Sequence, residues 1–165
     1  FFLQRPYAVT ANPADTPKAI FVSTFSDMPL AADFEVAVKG NEADFQTGVD
    51  ALAKIAKVYL GVKPSASSVL SNAKNAEVTV FEGKCPAGNV GVQINNVSPV
   101  NKGEVVWTLG AEEVIFIGRL FNTGKVDLTR TIAVAGSEKV TRNGAENSKQ
   151  REITKPIDDN PQDEE

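Results

Sequence analysis

Few side chains in this sequence could do chemistry, and none of them is histidine. Without imidazole, no Cys-His or Ser-His nucleophile pair can form within the chain. The easiest general base near neutral pH is missing as well. Cys85 is the single thiol, so neither an internal disulfide nor a cysteine-built zinc or iron–sulfur site can exist within the chain. Lys84 beside it would favour a thiolate, but the expectation is a small, partly buried packing residue. Cys85 lies in the loop Gly83-Lys84-Cys85-Pro86-Ala87-Gly88-Asn89-Val90-Gly91. Successive backbone N–H groups in such a loop can cradle an anion, which makes Gly83, Lys84, Cys85, Gly88, Asn89 and Gly91 candidates. The loop is neither G-x-G-x-x-G nor a Walker sequence, and a tight crossover that needs small residues is the first expectation. At the amino end, Arg5-Pro6-Tyr7 follows Phe1-Phe2-Leu3. Arginine or tyrosine there could donate to a carbonyl oxygen of a ring held by the aromatics; otherwise the aromatics fasten the segment to the core. Glu112 and Glu113 are adjacent, so on a helix they diverge by about 100° and cannot easily share one substrate atom.

These residues need elements to hold them. Residues 1–17, dotted by Pro6, Pro13 and Pro17, read as an extended arm, because proline removes backbone donors and disfavours helix before it. Ala19–Phe25 suits a buried strand. Phe45, Val49, Leu52 and Ala56 recur at helical spacing within residues 42–56. A strand over 57–62, a weaker helix over 65–75 and a strand over 76–81 follow. Residues 104–109 predict a strand carrying Trp107 into the core. Residues 110–122 predict a helix with Glu112 and Glu113 at the positive end of its dipole and Gly124 as its stop. A last strand is expected over 126–135, with Asp127 and Arg130 on opposite faces and unpaired to each other. The alternation argues an α/β, Rossmann-like domain over 18–125 with a mainly parallel sheet. In residues 137–165 only Val140, Ala145, Ile153 and Ile157 are clearly apolar. That segment cannot bury enough surface to offset its ordering entropy, and a disordered polar tail is expected.

The bulk numbers bound the rest. The 165 residues are 42% hydrophobic and 23% charged, as in a globular domain. Net charge is −4, with no basic footprint for nucleic acid. No apolar run is long enough for a membrane helix. Phe1 is not an initiator methionine, and no signal peptide follows it; a piece of a longer protein is expected.

Blocks spread along the chain resemble the A subunit of the bacterial Na+-translocating NADH:quinone reductase, in the same order. They are Arg5-Pro6-Tyr7, Lys18-Ala19-Ile20-Phe21-Val22, Pro29-Leu30-Ala31-Ala32, Cys85-Pro86-Ala87-Gly88, Pro99-Val100-Asn101, Glu113-Val114-Ile115, Gly118-Arg119-Leu120-Phe121, Thr123-Gly124 and Ala133-Val134-Ala135-Gly136. The resemblance implies a Rossmann-like domain without flavin or nucleotide sites, with residues 126–136 opening a β-grasp-like module. It implies a cofactor-free part of a complex at the cytoplasmic face of the bacterial inner membrane. Other subunits would be its partners, membrane contact would run only through them, and ubiquinone would be the substrate nearby. It places Arg5, Pro6 and Tyr7 closest to the quinone, with no catalytic residue and no metal. It also implies histidines where Cys85, Asn95 and Asn96 stand, so no imidazole is left to handle quinone protons. Two further readings stay open: a small-ligand or anion-binding module built on Gly83–Gly91, and a pure docking scaffold.

Overall fold

Two short, β-branched and aromatic runs, Ala-Ile-Phe-Val-Ser and Val-Trp-Thr-Leu-Gly, form the centre of the molecule because nearly every side chain in them is apolar or small. In the computed structural model, which describes residues 1–29, 31 and 33–130, they are β3 (Ala19–Ser23) and β6 (Val106–Gly110), each buried along almost its whole length. Strands that read as continuous apolar runs are those covered on both faces. With β1 (Leu3–Arg5), β2 (Val9–Thr10), β4 (Lys57–Val62) and β5 (Glu77–Val80) they make one six-stranded sheet in the order β2-β1-β6-β3-β4-β5. β6, β3, β4 and β5 are parallel, whereas β1 runs antiparallel to both β6 and β2.

Alternation along the strands splits the core in two. Ile20, Val22, Val58, Leu60, Trp107 and Leu109 face one side. There they meet α1 (Phe34–Val38), α2 (Glu42–Ala53), the single turn α3 (Ser68–Ser71) and α5 (Ala111–Thr123). Ala19, Phe21 and Val106 face the other, under Ile94 of α4 (Val90–Val97). Tyr59 stacks on Phe21 there at 4.9 Å. The closest helix contact is between α2 and α5. A methyl group on Gly118 would run into the backbone carbonyl of Asp44, and one on Gly48 into the carbonyl of Val114.

The mainly parallel α/β sheet agrees with the sequence. Several details differ. Within the extended arm expected over 1–17, residues 3–10 form the β1–β2 hairpin, and Pro6 is accommodated in the turn between the strands. The helix expected over 65–75 shrinks to α3, because the Gln46 side chain takes both backbone groups of Lys74, each at 3.0 Å. Asn75 then adopts a left-handed φ of 62°, which a helix could not continue. Helix α4 was not anticipated, although Val90, Ile94 and Val97 have helical spacing and Asn89 caps the first turn by accepting from Gly91 N–H at 2.8 Å. Gly124 ends α5 as expected, with a left-handed φ of 70° and its N–H on Leu120 O at 2.8 Å.

Residues 126–130 are not a strand. Arg119 holds them instead, donating to Thr129 O at 2.7 Å and lying 3.7 Å from the Asp127 carboxylate. The same guanidinium donates to Asn41 Oδ1 at 2.9 Å. Arg130 pairs with Glu112 at 3.7 Å, so Asp127 and Arg130 each find partners on α5 and not one another. The rest of the expected β-grasp start, residues 131–136, and the tail over 137–165 lie outside the described residues.

One ion pair ties the start of β3 to the turn before β6. Glu104 accepts from Lys18 Nζ at 2.9 Å and from the backbone N–H of Asn101 at 2.9 Å. The lysine contact, then the Asn101 bond, holds the Glu104 carboxyl below its ordinary range. A depressed folded value means the stabilisation is complete above the unfolded carboxyl range and is lost as pH falls through the folded value. Glu104→Gln is therefore expected to flatten the acid side of the stability profile. Urea midpoints between about pH 7 and about pH 3 measure this. The gap between variant and parent should narrow as pH falls and the carboxylate takes up its proton; a constant gap would contradict the assignment.

Candidate functional site

The sequence of strands fixes where a ligand crevice belongs. The chain leaves β3 towards β4 and β5 on one side, then returns through α4 to β6 on the other. In open α/β sheets, ligands bind outside the carboxyl ends of the strands where the order reverses. Here that point lies beside Ser23 and Gly110, the last residues of β3 and β6, which are register partners.

The glycine-rich loop reaches this place. Ser23 Oγ donates to Phe25 O at 3.1 Å and lies 3.4 Å from Gly88 O, and Gln93 Nε2 donates to Ser23 Oγ at 3.4 Å. Gln93 is buried, as is Thr24, whose hydroxyl donates to Gly61 O at 2.9 Å. Gly88 lies against Ser26 and Asp27, so a methyl group there would come within 2.8 Å of Asp27 Oδ1. The other carboxylate oxygen of Asp27 is shut off from solvent and has no hydrogen-bond partner among the described residues.

This chemistry is unfavourable to an anion. The N–H groups of Ala87, Asn89 and Gly91 are already bonded, to Lys84 O, Pro86 O and Asn89 Oδ1 respectively. The open position beside Gly88 faces a carboxylate. At the neighbouring start of α5, the Glu113 carboxylate folds back over Gly110, where the positive end of the helix dipole would otherwise meet a ligand phosphate. Gly83, Lys84 and Cys85 stand on the exposed outer part of the loop. Cys85 is exposed and not the partly buried packing residue expected. Asn95 and Asn96 are exposed on α4, and Asn96 donates to Val92 O at 2.8 Å.

Arg5, Pro6 and Tyr7 lie at the opposite, amino-terminal edge of the sheet, where Arg5 pairs with Val106 at the start of β6. Arg5 ends β1, and Tyr7 stands in the hairpin turn, 81% exposed. Phe1 and Phe2 do fasten the segment, against Phe116 at 5.9 Å and Trp107 at 5.3 Å. Tyr7 takes no part in that. Arg5 Nε is inaccessible to solvent and has no acceptor among the described residues, an arrangement that buried donors rarely show. Thus the two sequence-derived groups, residues 5–7 and 83–91, are not one site. Asp27, Gln93 and Ser23 were missed; the signal for them is topological, since each reaches the carboxyl edge through a different element.

The architecture defines a class: an open, doubly wound α/β domain with an antiparallel hairpin added to one sheet edge. Within that class, a family model described as the NqrA second alpha/beta domain matches residues 1–126. The chain belongs to this family. It is 39% identical over 136 residues to the A subunit of the Na(+)-translocating NADH-quinone reductase of Serratia proteamaculans, covering 81% of this chain and 30% of that protein. The corresponding subunit of Photorhabdus laumondii is 38% identical over the same shares. That of Alcanivorax borkumensis is 35% identical over 83% of this chain and 31% of its own. The chain therefore spans about a third of the length of the curated relatives it matches.

Proposed function

We propose that this chain serves as a cofactor-free domain of the A subunit of a Na+-translocating NADH:quinone reductase, where it helps to form or cover the quinone-reduction site and docks against other subunits. The family match over residues 1–126 supports membership of the complex. The observation that carries the quinone-facing part is the exposed Tyr7 two residues from the half-buried Arg5. The Arg5 guanidinium would donate to a quinone carbonyl oxygen, and the Tyr7 ring would cover the quinone plane. Gly83, Lys84, Cys85, Gly88, Asn89 and Gly91 then act as a structural crossover at the crevice.

Docking has its own support. Leu120, Phe121, Val126 and Leu128 are all exposed at the end of α5 and just beyond it, and clustered apolar surface of this kind marks interaction sites. No helix among the described residues is long and apolar enough to cross a membrane. Membrane contact is accordingly assigned to partner subunits, at the cytoplasmic face. The free-standing anion-binding module is disfavoured by Asp27 and the bonded loop amides; the pure scaffold is what remains without quinone contacts.

Calorimetric titration with a short-chain ubiquinone tests the quinone part. Saturable binding is expected, weakened at least about tenfold by Arg5→Ala, the loss of roughly one charge-assisted hydrogen bond. No saturable binding, or equal affinity of the variant, would overturn it.

A further inference from the structure

One edge of the sheet is left open. Among the described residues β5 pairs with β4 alone and is the last strand of the order. The N–H of Phe81, just past β5, donates to Val62 O at 2.8 Å. Backbone groups alternate in direction along a strand. Those of Glu77 and Thr79 therefore also point to β4, and those of Val78 and Val80 point outwards. Neither lysine nor proline stands within Glu-Val-Thr-Val to blunt this edge. At the far edge, by contrast, β2 is only 2 residues long.

Two further features lie on the face of β5 that α2 covers. Val80 is 59% exposed, although its register partner Val62 is in the core. At the amino end of β5 a cavity of about 460 Å3 opens, with Ala53 at the end of α2, Ala56, Val58 of β4 and Ala76 among its walls. An uncovered apolar side chain and an apolar hollow thus stand at opposite ends of one strand. Val78 is midway between Ala76 and Val80.

We infer that the β5 edge pairs with β5 of a second copy of this chain, antiparallel about a twofold axis at Val78. The two Val78 residues then exchange backbone hydrogen bonds with each other, and Val80 of each copy does so with Ala76 of the other. Opposed residues share a face, so each Val80 side chain covers the mouth of the other copy's cavity. On the opposite face Glu77 meets Thr79 and not a second carboxylate, and it keeps Lys57 of its own chain at 2.6 Å. An axis at Thr79 would set Glu82 beside the cavity instead, a charge against apolar walls. A patch whose two ends fit one another is what an isologous dimer requires. The contact is small for a specific interface, so the dimer is weak. It involves neither Arg5 and Tyr7 nor the apolar residues at the end of α5, and so stands apart from the function proposed above.

Sedimentation equilibrium of the full chain, carried to millimolar concentration, measures the association. A reversible monomer–dimer equilibrium is expected. Val80→Lys, at an exposed position, should weaken it at least about tenfold by placing a charge at the apolar mouth. Oxidative cross-linking reads the register, in a Cys85→Ser background that removes the only native thiol. Val78→Cys should link copy to copy, because position 78 faces itself across the axis; Thr79→Cys, which faces Glu77, should not. A chain that stays monomeric, a dimer indifferent to Val80→Lys, or linkage through Thr79→Cys at least as strong as through Val78→Cys would overturn the inference.

Discussion

Gly118→Ala is expected to destabilise the domain by about 3 kcal/mol, towards the upper end of what overpacking costs. Two effects oppose each other. Alanine is a better helix former than glycine by about 1 kcal/mol, so an exposed Gly→Ala change in mid-helix would stabilise. Gly118 is buried in α5, and its added methyl would overlap the carbonyl of Asp44 in α2. That obstacle is backbone, not the far end of a flexible side chain. Relief requires the two helices to separate, and with them the layer that covers one face of the sheet. Packing therefore outweighs propensity. Urea denaturation of parent and variant measures the difference, and a variant as stable as the parent would show that α2 and α5 do not cross at this distance.

Phe45→Ala tests the same layer from the opposite direction and is expected to cost about 4 kcal/mol. Phe45 has no solvent exposure and sits in the cluster formed by α2, α5 and the sheet. Removing its ring takes away buried apolar area and leaves a cavity that the helices can only partly close. Domains of this size are stable by about 5–15 kcal/mol in total, so either variant should move the urea midpoint substantially. The pair should not add. Once Phe45 is gone, α2 has room to shift away from the alanine at 118, and the double variant should lose less than the two single losses together. Full additivity would mean that the sites are independent, against the contact between Asp44 and Gly118.

The parts of this fold that were legible in the sequence are those whose cause is local. β3 and β4 show as continuous apolar runs, α2 and α5 as stripes at helical spacing, and Gly124 as a glycine just past a helix. Long, strongly patterned segments reveal themselves because burial on one or both faces imposes the pattern. The β1–β2 hairpin was hidden by Pro6, which argues against a strand unless the pairing resumes beyond it. α4 was hidden by the glycines before it, although its own Val90, Ile94 and Val97 carried the spacing. α3 was overestimated because its competitor is the Gln46 side chain, 28 residues away from Lys74.

The candidate sites were less legible for the same physical reason. Arg5 and Tyr7 could be singled out by residue type, but not the unpaired state of Arg5 Nε, which depends on what β6 and its neighbours place around it. The glycines of the loop over 83–91 suit an anion by type, but Asp27, from a connection some sixty residues earlier in the chain, lies beside Gly88. Arg119 bridges Asn41, 78 residues distant, and Thr129, 10 residues distant. No spacing rule joins such positions; only the folded sheet does.

The function proposed for this domain depends on its place within the reductase complex. The decisive measurement is affinity purification of the tagged chain from detergent-solubilised membranes of a bacterium that makes the Na+-translocating NADH:quinone reductase, with mass spectrometry of what elutes. Other subunits of the reductase should elute with it, and charged substitutions of Phe121 and Val126 should release them. Elution free of every reductase subunit would contradict that placement.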